Sequence, residues 1–466
     1  MLEFNELTPS LMDRFIAAGH LPNFERLRAE SHVYVTDAEE DGDNLQPWVQ
    51  WVSVHTGLSA SAYGITRLSD GHKLREKAIW DLISEAGYRV WVCGSMNARY
   101  DRPLNGCLLP DAWSTGLRAF PDGEFDSYDA FVRRAVQEHT SESQGLSKEM
   151  ALSFLWYMAG HGLSPSTIRM ILSQLWTERR TNRFKWRRAA IADQLQWDIF
   201  RHYYRKIRPH FSTFFINSTA HFQHSHWREM EPEAFHVLPD SEHLAEFKDA
   251  ILYGYQQMDR IVGRFLSLAG SETTLIFSTA LSQQPYTDAE TAGGRHFYRL
   301  RSPAVLADRL GLQGTYTYHP VMAEQFVLRF ADADAAEAAK RYLDGFRVGS
   351  TLAFHGSLED ADLILQSNQT REVSKTATLR DERTGREVPF YDLFYQLDNL
   401  QSGRHHPDGM LWVRYPNRSH RSHERKMPVR SIAPTILEMF GLSRPQYMDC
   451  DPIAVPSELH PVASSA

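Results

Sequence analysis

Gly19-His20-Leu21-Pro22-Asn23-Phe24-Glu25-Arg26-Leu27 separates two short apolar segments, residues 2–5 and His32–Thr36, and its reading decides how the chain begins to fold. Gly19 stops a helix that Thr8-Pro9 opens and that Leu11, Phe15 and Ile16 line at helical spacing. Leu21-Pro22 starts a second helix through Leu27, because proline suits the first helical turn. The flanking segments read as strands. The alternation then continues: Asp37–Gln46 is an acidic loop, Pro47 begins a helix that runs on through Trp48–His55, Ala78–Ala86 is helical, and Arg89–Cys93 is a buried strand. Strands alternating with helices predict a parallel α/β sheet.

Beyond this start, Phe120 to about Pro209 is rich in Leu, Trp, Arg and Gln with long helical periodicity, and reads as a helical insertion over 120–205. Phe211–Asn217 and Thr273–Ser278 read as fully buried strands, Phe247–Leu268 as a long helix and Met410–Arg414 as a core strand. Ile432–Phe440 is a helix stopped by Gly441. Residues 297–395 change character, with a strand at Gln325–Phe330, a helix at Ala333–Leu343 and two further strands, which reads as a small α+β cap. The expected organisation is a core of 1–119, 206–296 and 396–452, the insertion, the cap and a small polar tail at 453–466. The fold class expected is α/β, a doubly wound, mostly parallel sheet.

Composition narrows the function. The 466 residues carry 50 basic and 58 acidic side chains, a formal net of −8, which argues against a basic nucleic-acid binder. Hydrophobic residues at 42% exclude a disordered chain. Three cysteines, Cys93, Cys107 and Cys450, make no disulfide framework and no CxxC pair. No apolar run of about 18 residues predicts a membrane span, and Met1-Leu2-Glu3-Phe4-Asn5-Glu6-Leu7 lacks the features of a secretory signal. A cytoplasmic protein is expected. Arg179, Arg180, Arg183, Lys185, Arg187 and Arg188 crowd one region, interleaved with Trp176 and Trp186. That pattern reads either as a solvated helix face or as a contact surface for an anionic substrate or membrane headgroups. A second basic run, Arg418–Arg430, is expected as a loop near the mouth of a site. The unusual count is 21 histidines.

Four segments, in order, carry a resemblance. They are Phe4–Pro9 with Gly19–Leu27; Trp51–Leu58 with Tyr63-Gly64-Ile65; Ala220-His221-Phe222-Gln223-His224-Ser225-His226-Trp227; and His405-His406-Pro407-Asp408-Gly409 with Ile432–Leu437. Together they resemble the alkaline phosphatase superfamily, close to its type I phosphodiesterase/nucleotide pyrophosphatase branch. The resemblance implies a site at the carboxyl ends of the strands. It also implies two divalent metals that clamp a phosphoryl or sulfuryl oxygen and activate a Thr or Ser nucleophile.

Residue by residue, the resemblance implies a diverged site. The first-strand metal Asp falls on Asn5, with Glu6 in the usual Gly place, and the nucleophile falls on Pro47, which has no nucleophilic atom. The Asp-x-x-x-His pair reads Ala220…His224, and Ser-Asp-His-Gly reads Ser278-Thr279-Ala280-Leu281. The late histidine is His405. One metal site thus loses every matched ligand, and the other keeps two imidazoles. The expected metal ligands are His224 and His405, completed by His226 or alternatively by His221, His406, Glu3 or Glu6, holding one divalent ion, zinc by preference. Glu6 and His221 are the candidate catalytic groups that would activate water, and Asn5, His55 and His406 are candidate substrate contacts.

Two functions follow as expectations. One is an atypical phosphoric or sulfuric ester hydrolase or transferase, acting on an anionic small molecule or glycan and not on nucleic acid, with membrane-surface contact as a further property. The other is a pseudoenzyme that uses the old crevice to hold an anion or act as a scaffold.

Overall fold

A computed structural model describes residues 1–456 apart from 69, 101–102, 115–116, 139–146, 182, 322–323 and 398–399. Its centre is a sheet built on six strands: β1 Leu2–Phe4, β2 His32–Asp37, β3 Val90–Cys93, β4 Gly106–Leu109, β5 Phe211–Ile216 and β6 Leu275–Ser278. The strand Asp408–Arg414 and the short edge pieces Arg421–Ser422 and Met427–Pro428 complete it. Across the sheet the order is Arg421–Ser422, β2, Asp408–Arg414, β6, β1, β5, β3, β4. β1 pairs in parallel with both β5 and β6, with Leu2 opposite Phe214 and Phe277. Asp408–Arg414 alone runs antiparallel, against β2 and β6. The α/β class and the mostly parallel sheet expected above are what the chain adopts.

The strands are apolar on both faces because both are covered. Side chains alternate across a strand, so Trp91, Cys93, Phe214 and Phe277 face one core and Val90, Val92, Phe215 and Ile276 the other. The first face is covered by helices Pro9–Ala17, Pro22–Ala29, Arg188–Ile207 and Ala250–Leu268. The second is covered by Pro47–Thr56, Ile79–Glu85 and Ile432–Met439. Such a doubly wound sheet is open only at its strand ends.

Among the described residues between 120 and 210 lie four α-helices, Asp126–Glu138, Lys148–Gly160, Pro165–Arg180 and Arg188–Ile207. Phe125, Phe154, Met158 and Phe200 join the first-face core, so these helices are bound into it. Residues 298–394 instead gather around a core of their own, centred on Phe326, Leu328, Phe354 and Phe390. The basic run after Arg418 lies along the sheet edge beside β2, with Arg421 opposite His32 at the amino end of that strand and Met427 and Pro428 opposite Thr36 and Asp37 at its carboxyl end.

Candidate metal centre

β1 ends at Phe4, and the chain reverses through Glu6, whose φ of 60° lies in the left-handed region that side chains other than glycine rarely enter. This turn places a carboxylate at the carboxyl end of the middle strand. It is buried, 2% exposed, and held on every side. Asn5 Nδ2 donates to Glu6 Oε1 at 2.7 Å, Gln283 Nε2 to Oε2 at 2.5 Å, and Gln223 Nε2 to the Glu6 carbonyl at 2.7 Å.

Two imidazoles meet the same oxygen. His224 Nε2 lies 3.0 Å and His405 Nε2 3.3 Å from Glu6 Oε2, with the rings edge-on to each other, 5.0 Å between centroids. His224 comes from the helix Ser218–Met230, which β5 feeds directly, and His405 from the strand Gly403–His406, which pairs antiparallel with β7, Ser282–Pro285. Among the described residues, Glu6, His224 and His405 form the group of three potential ligands whose donor atoms all lie within 4.8 Å of one another. Glu6 is buried, and the two imidazoles remain partly open, His224 at 35% and His405 at 16%.

The donor set fits a single small cation. A tetrahedral ion with ligand distances of about 2.0–2.2 Å spaces its ligand atoms roughly 3.3–3.6 Å apart, and the two carboxylate–imidazole spacings are close to that. Two histidines and a glutamate, with one side open, is also a composition that catalytic zinc sites use. The tautomer is prepared as well. His224 Nδ1 faces the Gly403 carbonyl at 3.2 Å, so Nδ1–H donates there and Nε2 keeps its lone pair. Without a cation the two imidazoles face the buried carboxylate directly. Burial opposes charge on Glu6, but the His405 and His224 imidazoles outweigh it and hold the carboxyl below the usual carboxylate range. Burial likewise opposes charge on His224, and the Glu6 carboxylate beside it drives its pKa upward.

The other residues singled out in the sequence take different places. Asn5 is wholly buried, and both its amide protons are used: Nδ2 also donates to Asn217 Oδ1 at 2.7 Å, while Oδ1 accepts from Trp51 Nε1 at 2.7 Å. His55 lies inside the second-face core, with its Nε2 2.9 Å from Glu3 Oε1 and its ring between Trp51 and Trp80. His226 sits at a break in its helix, with φ −130° and ψ 20°, and stacks on Phe247 at 4.4 Å. Two residues on from His224, it does not share a helix face with it and lies outside the group that Glu6, His224 and His405 form. His221 is exposed, one helical turn before His224. His406 Nδ1 accepts from the Asp408 N–H at 3.1 Å. Pro47 is buried at the first turn of its helix.

Several supporting groups gave no sequence signal. Tyr255 Oη donates to Gln223 Oε1 at 2.8 Å and accepts the Thr8 N–H at 2.7 Å, while Thr8 Oγ1 donates to the Gln283 carbonyl at 2.9 Å. This network ties the turn after β1 to β7 and to the helix that carries His224. Its members are common polar residues scattered over 275 positions of chain, and no motif links them.

No protein-family model matches the chain, and no curated protein matches it in sequence. Solved structures to which it is similar include phosphonoacetate hydrolase from Sinorhizobium meliloti 1021 in complex with phosphonoformate, at 13% identity over 93% of each chain with a TM-score of 0.40. They also include murine ectonucleotide pyrophosphatase/phosphodiesterase 5, at 10% identity over 95% of each chain and a TM-score of 0.40. A third is wild-type alkaline phosphatase PafA, at 11% identity over 97% of each chain and a TM-score of 0.44.

Proposed function

We propose that Glu6, His224 and His405 hold one divalent cation, zinc by preference, and that the protein hydrolyses or transfers a phosphate or sulfate ester there. The supporting observation is the convergence of these three side chains, one buried and two partly open, on one spot at the carboxyl end of β1. A zinc ion in that place supplies a Lewis acid for a phosphoryl or sulfuryl oxygen and lowers the pKa of a water.

This chain's own residues supply the rest. Pro47 stands where a nucleophilic side chain would be expected, so water is the attacking group: its oxygen bonds to phosphorus or sulfur, and the ester oxygen leaves with a proton. His221, exposed one helical turn before His224, is assigned the role of taking the proton from water, which its exposure and its imidazole support. Gln283 and Asn5 fix the Glu6 carboxylate and hold its lone pairs in register. The open side of His224 is where the anionic ester enters.

A second reading, a non-catalytic anion binder on the same site, draws on two observations. Asn5, a neutral amide, stands where the family resemblance expects a metal-binding carboxylate and spends both amide protons on Glu6 and Asn217, and Ala280 stands at a position where the resemblance expects a ligand. One experiment separates the two. The protein is purified without chelator, its zinc is measured, and aryl phosphate mono- and diesters and aryl sulfates are assayed. One equivalent of zinc with turnover, both lost in His224→Ala/His405→Ala, is the expected result. Zinc without turnover selects the anion binder, and absence of both zinc and turnover refutes the metal centre.

A further inference from the structure

Nine large apolar side chains stand exposed among the described residues, and seven of them lie on two consecutive helices of the insertion. Lys148–Gly160 exposes Leu152, Leu155 and Trp156, the last at 81%. Pro165–Arg180 exposes Ile168, Leu172, Leu175 and Trp176, at i, i+4, i+7 and i+8. The opposite faces are anchored: Phe154 and Met158 enter the first-face core, and Thr167 and Gln174 are buried. Each helix is therefore fixed to a rigid body by one face and turns an apolar stripe outward. A monomeric protein rarely exposes so much apolar surface without a partner for it.

The charge around the stripes identifies the partner. Residues 147–188 contain eight Lys and Arg against two Glu, a net of +6 on a chain whose total is −8. Two of the eight are engaged, Arg183 with Glu242 and Arg188 with Glu178. Lys148, Arg169, Arg179 and Lys185 make no ion pair among the described residues, and Arg180 lies flat over Trp176 at 3.6 Å. A second copy docking through the same face would set like charge against like. An anionic surface complements it, and a surface that also takes up Trp and Leu is a lipid leaflet. Tryptophan and arginine are suited to that boundary, with the ring at the acyl edge and the guanidinium among the headgroups. No helix among the described residues is long and apolar enough to cross a membrane, which is consistent with helices that lie on it.

We propose that the outer faces of Lys148–Gly160 and Pro165–Arg180 dock this protein onto an anionic lipid surface. The inference is independent of the metal centre, and a variant without metal ligands, His224→Ala/His405→Ala, binds lipid as the parent does. The test is co-sedimentation of the full chain with phosphatidylcholine vesicles, with and without phosphatidylglycerol. At least about 10-fold stronger partition onto the anionic vesicles is expected, falling as salt rises. Trp156→Ser/Trp176→Ser abolishes it. Each of Arg169→Gln, Arg179→Gln and Arg180→Gln lowers it by about 5-fold. The changed residues are exposed, so an unaltered melting curve is the control for folding. No partition onto either vesicle overturns the proposal, as does equal partition onto both. A dimer in light scattering that Trp156→Ser/Trp176→Ser dissociates, with vesicles unbound, also overturns it and assigns the face to a second copy.

Discussion

Asn5→Asp restores a carboxylate at the end of the first strand, and the geometry says it harms the metal-free protein. The side chain now donates two hydrogen bonds, to Glu6 Oε1 and Asn217 Oδ1, both at 2.7 Å, and accepts one from Trp51. Aspartate keeps the acceptor for Trp51 but turns the two donors into an anion. The lost bond to the Glu6 carboxylate amounts to about 1.5–3 kcal/mol and the neutral one to about 0.5–1.5 kcal/mol. A second buried carboxylate then faces Glu6 in a site where both residues are at most 2% exposed. A loss of about 3–5 kcal/mol is expected, the range for an uncompensated buried charge. The new carboxyl, beside a like charge, has a folded pKa above its unfolded one. The penalty is therefore full at pH 8 and shrinks as falling pH protonates the side chain. Urea unfolding in chelator at pH 8 and pH 5 measures both quantities. Added zinc is expected to stabilise the variant more than the parent, because a cation at Glu6 Oε2 offsets the doubled negative charge of the two carboxylates. A variant within ~0.5 kcal/mol of the parent at both pH values refutes the argument, since it would mean that the Asn5 amide does not donate to Glu6.

Other perturbations probe the frame around the site. Burial pushes the Asp193 carboxyl up to about 7, offset in part by the Ser218 hydroxyl that donates to it. The folded state therefore holds a proton that the unfolded chain releases near pH 4, and stability should fall as pH rises from 4 to 7, by at most ~1.4 kcal/mol per unit; Asp193→Asn should flatten that slope in urea titrations. His55→Ala removes the partner of a wholly buried Glu3, leaving Ser95 as its remaining donor, and should cost about 3–5 kcal/mol without altering zinc content. Gly254 has no room for a methyl group: a Cβ would meet Thr219 Oγ1 at 2.7 Å and Phe222 at 2.8 Å. Gly254→Ala should therefore push the His224 helix, costing about 1–3 kcal/mol in thermal unfolding and weakening zinc binding by competition titration.

The sheet was legible because its signals are local. Leu2–Phe4, His32–Asp37 and Phe211–Ile216 are short apolar runs closed by turn residues, and Pro9, Pro22 and Pro47 mark helix starts one by one. β4 and β7 escaped notice: Gly106-Cys107-Leu108-Leu109 is too short to show a period, and Ser282-Gln283-Gln284-Pro285 is polar. Of the site, His224 and His405 were readable from motif order. Glu6 is one of several residues that the sequence offers both as a base and as the third ligand, and only the left-handed turn after Asn5 shows that its oxygen meets both imidazoles. His226 is expected as a ligand only because it is close in sequence to His224, but the chain is helical there, and residues two apart on a helix do not share a face.

The three groups that meet at Glu6 come from positions 6, 224 and 405 of a 466-residue chain. During synthesis the first is made early and waits while nearly 400 further residues emerge. Until Gly403–His406 pairs with Ser282–Pro285, the half-built site has one imidazole and a carboxylate, too few ligands to retain a cation against cellular competitors. For the proposed metal centre, cation uptake is then the last event of maturation rather than a nucleus for it, and a ribosome-bound chain truncated before residue 403 is expected to remain metal-free however well its sheet has formed.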